Sequence, residues 1–124
     1  MAKRFEDLEI WQKSRDLCKL IYKTTDSDLF NEDVNLRHLL RNTSGLVMDN
    51  ITEGFERNSN KEFINFLNIS IGSCGKIKSQ LYRALDNEYI TDEDMNTAFS
   101  KISQLSNTIT DFIQFLKKSE LLNL

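Results

Sequence analysis

Hydrophobic side chains recur every three or four residues along almost the whole chain, which is the spacing of amphipathic helices. Short polar stretches interrupt the pattern three times. It therefore predicts four helices, over residues 8–25, from Asn31 or Asp33 to Glu53, from Ser59 to about Asn87, and from the N-cap Thr91 to Lys118. Because short links join antiparallel neighbours, we predict an all-α protein, a single-domain up-down-up-down four-helix bundle over residues 1–124.

The apolar faces of the first and third helices are wider than a helix packed on one side needs. In the first helix we interpret Trp11 as a core or interface anchor. In the third, the small residues of 70–75 favour a close helix crossing; a phosphate-binding loop is the alternative, but no strand precedes it. We therefore expect burial on two sides, either deep in the bundle or between subunits. The predicted core stripe of the second helix is Leu36, Leu39, Leu40, Thr43, Leu46, Val47 and Ile51.

A polar corner between the second and third helices carries the most distinctive residues. Gly54 is placed like a C′ glycine, which ends a helix in the left-handed conformation. Ser59 and Glu62 have the spacing of a capping box. Glu53 would lie at a helix C-terminus, where the macrodipole disfavours an anion, so we expect a specific partner for it. We predict a structural hydrogen-bonded network here, with a ligand site as the alternative. Its members are Asn50, Glu53, Gly54, Arg57 and Ser59.

The composition favours helices, and the sequence also indicates in which compartment the protein is found. The chain has no proline and only four glycines. Cys18 and Cys74 occupy apolar helical positions, so we interpret them as buried residues rather than as a disulfide or a metal site. The N-terminus lacks an apolar leader, and no run of about 18 apolar residues occurs. We therefore expect a cytoplasmic protein without a membrane partner.

The charge is unevenly distributed along the chain. The formal net charge is −3, yet residues 1–83 carry 13 Lys/Arg against 12 Asp/Glu, while residues 84–124 carry 3 against 7. A polyanion would therefore meet the first three helices. The alternative is that these charges are solvated or form local ion pairs. The candidate nucleic-acid-binding residues are Arg37, Arg41, Arg57, Lys61, Lys76 and Lys78.

The sequence offers little for catalysis. Asp49, Glu53 and Glu56 are conceivable metal ligands, but metal sites in helix bundles draw ligands from several helices and typically include a Glu-x-x-His pair. His38 is the one histidine and has no glutamate three residues before it. No nucleophile–base pair is evident either. We therefore expect no catalytic residues, no metal and no cofactor.

The polar corner belongs to a longer pattern. Its core reads Asn50-Ile51-x-Glu53-Gly54-x-x-Arg57-x-Ser59-x-x-Glu62-Phe63. Further positions of the pattern are Phe5, Leu8, Trp11, Gln12, Tyr22, Leu36, Arg41, Phe66, Leu67, Gly72, Ser73, Leu81, Tyr89 and Ile90. In these residues, which span nearly the whole chain, the protein resembles the four-helix-bundle family of 23S rRNA intervening-sequence proteins.

The resemblance implies a small bacterial protein of unsettled role that forms a ring-like homopentamer. A related branch serves diversity-generating retroelements as accessory subunits, which bind a reverse transcriptase and nucleic acid through a basic surface. The chain departs from the family pattern at Leu39, Asn42 and Met48, and it has Lys76 and Lys78 where an acidic pair is usual. We expect a non-enzymatic, homo-oligomeric interaction protein. The alternative is a nucleic-acid-binding accessory subunit, for example to a reverse transcriptase.

Overall fold

The computed structural model describes the backbone of residues 2–122 and the side chains of residues 2–119. Over this range the protein is all-α, as predicted, and the structure assigns no strand to it. The helices are α1 Glu9–Thr24, α2 Val34–Glu56, α3 Asn60–Asp86 and α4 Asp92–Leu122, with short 3-10 helices at Phe5–Asp7 and Asp28–Glu32. The predicted boundaries are close except at two ends, because α2 continues three residues beyond Glu53 and α4 continues past Lys118.

The four helices close into an up-down-up-down bundle around one core. Each helix packs on the next in sequence, and α4 returns to pack on α1. The largest fully buried side chains come from all four helices and from the α1–α2 connection: Ile10, Leu17, Ile21, Phe30, Leu36, Leu40, Ile51, Leu67, Ile77, Leu81, Ile102 and Leu105. No helix of the described residues is long and apolar enough to cross a membrane.

Side-chain caps fix where α3 and α4 begin. The Ser59 hydroxyl accepts a hydrogen bond from the backbone N–H of Glu62 at 3.3 Å. Thr91, the predicted N-cap of α4, is confirmed: its hydroxyl accepts from the N–H of Asp94 at 3.1 Å, and the Asp94 carboxylate accepts from the N–H of Thr91 at 3.3 Å. Each such cap contributes about 1 kcal/mol to helix stability.

Gly54 does not end α2, contrary to the sequence prediction. The helix runs on to Glu56, and the left-handed residue of the turn is Asn58, with φ 54°. Gly54 is instead needed for space, because a Cβ atom there would lie 2.8 Å from Phe63 Cδ1 and 2.9 Å from Phe66 Cβ. The glycine lets α3 approach α2 closely just after the turn.

The wide apolar face of α1 is covered largely from within the chain. The ring of Trp11 is partly buried and meets Phe5 edge to face, with ring centroids 5.1 Å apart. Tyr22 is half exposed, and the Arg41 guanidinium lies over its ring at 4.7 Å. The 3-10 segment before α1 and an arginine of α2 therefore account for surface that the sequence alone suggested for a subunit interface. The sequence also predicts a short apolar tail of Leu121, Leu122 and Leu124, and these residues lie outside the described side chains.

Candidate functional site

Two of the candidate nucleic-acid-binding residues hold the α1–α2 connection. Arg37 donates to the backbone carbonyls of Thr25 at 2.9 Å and Ser27 at 3.1 Å. Arg41 donates to the Thr25 hydroxyl at 2.9 Å, and its side chain is only 22% exposed. Because arginine presents several donors in a fixed planar fork, it can bind a turn of backbone in this way. These guanidinium groups are already occupied by the connection.

Arg57 is the centre of the polar corner between α2 and α3. Its guanidinium lies 2.8 Å from a Glu53 carboxylate oxygen and 3.7 Å from one of Glu62, and it covers the ring of Phe66 at 5.2 Å. Asn50 is not part of this cluster, since its side-chain amide donates to the carbonyl of Leu46 within α2. The corner is therefore an exposed ion-pair cluster around one arginine, built on a turn that Ser59 caps.

The three lysines differ in their surroundings. Lys78 is partly buried and directed toward α4, where its ammonium lies 3.2 Å from the Ser103 hydroxyl and 5.5 Å from the ring centroid of Phe99. Lys61 and Lys76 are exposed, and neither forms an ion pair within the part of the chain that the structure describes. Fifteen residues of helix separate them, which is roughly 22 Å along the axis. The six cations therefore do not converge on one patch.

The small residues of α3 divide between two faces. Ser70 is buried and donates to the Val47 carbonyl of α2 at 3.1 Å, as expected for a close helix crossing. Gly72 and Gly75 are exposed, and an added Cβ on either would meet no heavy atom within 4 Å. Within the bundle, Ser70 therefore contributes to the close crossing, whereas the two glycines do not, because they lie on the outer face of the helix. Neither serves as a phosphate-binding loop turn, since both lie inside a continuous helix.

One side of the α2–α3 pair is apolar and uncovered. Leu39 and Leu46, which the sequence placed in the core, are 39% and 50% exposed, and Ile69 of α3 is 51% exposed. On the opposite edge of the buried face, Ser44 is fully buried with its hydroxyl 3.5 Å from the Cys18 sulfur of α1. The buried face of α2 is therefore displaced toward α1, and the two leucines lie outside it. Sequence reasoning missed this surface, although two leucines seven residues apart were its signal.

The chain is similar to a known protein family along most of its length. A model of the family described as 23S rRNA-intervening sequence protein matches residues 6–119. The chain belongs to this family. A similar solved structure is the crystal structure of a protein of unknown function from the S23 ribosomal protein family of Bacteroides thetaiotaomicron, with 20% identity and a TM-score of 0.75. The match covers 84% of this chain and 97% of that one, and it shows the shared fold. No curated protein matches the chain.

In this family member, Gly54 and Ser59 of the polar corner also border a cavity that the sequence did not suggest. The cavity has a volume of about 300 Å³ and lies where the α2–α3 turn meets the far end of α4. Its apolar lining is largely aromatic, formed by Phe55, Phe63, Phe112 and Phe115 with Leu8 and Leu116. Phe63 and Phe112 pack edge to face with centroids 5.5 Å apart. Among residues 2–119, the polar lining side chains are the amides and hydroxyls of Asn58, Ser59, Asn60 and Ser119, and no acidic or basic side chain lines the cavity.

The two cysteines of this intervening-sequence protein differ in burial. Both are free thiols, and Cys74 is buried in the core. Burial raises the pKa of the Cys74 thiol to about 11, so it stays protonated and unreactive at neutral pH. Among residues 2–119, no group of three His, Cys, Asp or Glu side chains is close enough to hold a metal ion.

Proposed function

We propose that the protein is a non-enzymatic interaction module that works as a homo-oligomer, a pentamer by resemblance to its family. The observation that supports this is the uncovered side of α2 and α3. Three large aliphatic side chains are about half exposed there, beside two glycines with open space above them. Apolar patches of this kind mark interaction surfaces in soluble proteins.

The placement of chemically active groups supports a non-catalytic role. The buried thiol is protonated, and the arginines that resemble functional cations bind backbone or carboxylates of the same chain. Among the residues whose side chains the structure describes, the lining of the aromatic cavity includes no acidic or basic group. The buried thiol and the arginine contacts therefore stabilise the fold, and we propose that the exposed surface recognises partners.

Light scattering after size-exclusion chromatography tests self-association directly. Five copies of the 14.5 kDa chain would give about 73 kDa, and a smaller closed ring would give another integer multiple. We expect an integer multiple at micromolar concentration and above. A protein that stays at the mass of one chain up to about 100 µM would overturn the proposal.

The second candidate function is binding of nucleic acid as an accessory subunit. The observation that favours it is that Lys61 and Lys76 are exposed on α3 without an ion-pair partner in the described chain. Exposed lysines of this kind can contact the phosphates of a nucleic acid. Filter binding of RNA and DNA at 50 and 200 mM salt should show affinity that falls steeply with salt. Lys61→Ala and Lys76→Ala should reduce it, whereas Lys101→Ala on α4 should not.

A further inference from the structure

We propose that the exposed strip of α2 in one copy docks on the exposed strip of α3 in a second copy, in a head-to-tail arrangement. This inference rests on the self-association proposed above and assigns its two surfaces. The α2 strip consists of Leu39, Leu46, Asp49, Glu53 and Glu56, and the α3 strip of Lys61, Ile69, Gly72, Gly75, Lys76 and Arg83.

The two strips have complementary shapes. Leu39 and Leu46 are seven residues apart and therefore project from the same side of α2. On α3, Gly72 and Gly75 leave a shallow gap, because nothing lies within 4 Å of a Cβ at either position. Leucine side chains of one helix can enter such a gap in another and bring the backbones close. One strip thus offers protruding side chains and the other offers the space for them.

The alignment of α2 with α3 inside the bundle determines which residues of the two strips lie at the same height along the helix axes. Ser70 of α3 bonds to Val47 of α2, and Gln80 bonds to Thr43. Leu46 is consequently level with the part of α3 around Gly72. A rotation about an axis parallel to the helices keeps these heights. In a ring of such copies, Leu46 of one would therefore face the Gly72 gap of the next.

The charges of the two strips are also complementary. The α2 strip carries acids, of which Glu53 is paired with Arg57 in its own chain, so Asp49 and Glu56 remain for a neighbour. The α3 strip carries the bases Lys61, Lys76 and Arg83, and Asp86 at the end of α3 is the exception. Gly54 packs against Phe63, so the acidic end of α2 is level with Lys61 at the beginning of α3. Opposite charges at one height favour this pairing and disfavour α2 strip against α2 strip.

These features identify the occupant as another copy of this chain. Both halves of the complementary pair lie on the same molecule, so each copy can dock through either strip. An interface between two different surfaces is heterologous, and it propagates into a closed ring or an open filament. A two-fold dimer through like strips would bring acids against acids on α2 and leave the α3 gap unfilled. Because both strips lie on one side of the bundle, a two-fold pair in which each α2 strip meets the other copy's α3 strip also satisfies the pairing, and the wild-type mass in light scattering distinguishes this dimer from a ring.

The test uses one variant for each strip. Leu46→Glu damages only the α2 strip and Gly72→Leu fills only the α3 gap, and both positions are exposed, so each chain should fold with an unchanged helical circular dichroism spectrum. We expect either variant alone to associate at least about 100-fold more weakly, because a charge or a bulky side chain enters a packed interface. Leu29→Glu, which changes an exposed leucine outside both strips, should assemble like the wild type.

A mixture of the two variants distinguishes the geometry. Each variant keeps one intact strip, so an equimolar mixture should form a heterodimer of two chains and nothing larger. If the wild type assembles while both single variants also assemble normally, the strips are wrongly assigned although the oligomer is real. If both variants are folded and monomeric but the mixture yields no heterodimer, the head-to-tail pairing is wrong. A monomeric wild type would instead overturn the oligomer itself.

Discussion

Replacing Gly54 with alanine tests whether close packing of α2 on α3 explains the glycine of the corner motif. The residue is helical, so alanine would ordinarily stabilise the helix by about 1 kcal/mol. Here the new methyl group would lie 2.8 Å from the Phe63 ring and 2.9 Å from Phe66 Cβ. It would also lie 3.3 Å from the backbone Cα of Phe63. Rotation of one ring cannot relieve all three contacts, so α3 must shift away.

The expected loss follows from two opposing contributions. Overpacking of this kind costs about 1–3 kcal/mol, which the gain in helix propensity offsets by about 1 kcal/mol. Gly45→Ala is the matched control, because Gly45 lies on the same helix and a Cβ there meets nothing within 4 Å. We therefore expect Gly54→Ala to be less stable than Gly45→Ala by about 1–3 kcal/mol. For a chain of 124 residues this corresponds to a difference in Tm of roughly 4–12 °C.

Thermal and urea unfolding at one fixed protein concentration measure the difference, because an oligomer makes Tm concentration-dependent. If the two alanine variants have equal stability, the close approach does not explain Gly54. A Gly54→Ala variant that is more stable than the wild type would show that helix propensity dominates at this position.

Three further predictions concern the ion pairs and the buried thiol. Arg41→Ala should lower the free energy of unfolding by about 1–3 kcal/mol in urea titrations, because it removes the hydrogen bond to Thr25. Arg41→Lys should recover only part of this loss. Unchanged stability of Arg41→Ala would show that the bond to Thr25 does not stabilise the fold. Glu53→Gln should cost about 0.3–1 kcal/mol in 50 mM salt and nearly nothing in 1 M salt, because its pair with Arg57 is exposed; an unchanged Tm at low salt would contradict a structural role. The pKa of the Cys74 thiol is about 11 when folded against 9.0 ordinarily, so the unfolded chain loses this proton first and stability should fall between pH 9 and 11. Cys74→Ala should weaken that decline, and an identical pH profile would refute the assignment.

The helices and their starts were predictable because local chemistry determines them. Periodic apolar residues specify a helical face, and Thr91 with Asp94 specifies a helix start within four residues. The end of α2 was not predictable in this way. Gly54 has the local signature of a C-terminal glycine, but its position reflects contact with Phe63 and Phe66 in the next helix. A tertiary contact therefore overrode the local signal.

The candidate site was less predictable, because a charged residue does not reveal its partner. Arg37 and Arg41 stand one turn apart, which looked like an exposed basic stripe in the sequence. Their partners are the carbonyl and hydroxyl of Thr25, which are 12 and 16 residues away. The exposure of Leu46 was likewise hidden, since helical spacing does not fix how wide the buried stripe is.

The two candidate functions compete for one surface, and this gives a final prediction. Lys61 and Lys76 belong to the α3 strip, so a ring built through that strip would remove them from contact with a polyanion. The non-assembling Leu46→Glu variant keeps its α3 strip intact. If phosphates bind there, this variant should bind RNA or DNA at least as tightly per chain as the wild type at 50 mM salt. Excess nucleic acid should then also reduce the mass of the wild-type oligomer in light scattering. If Leu46→Glu loses both nucleic-acid binding and assembly, binding requires the assembled ring. The phosphate contacts would then come from cations outside the α3 strip.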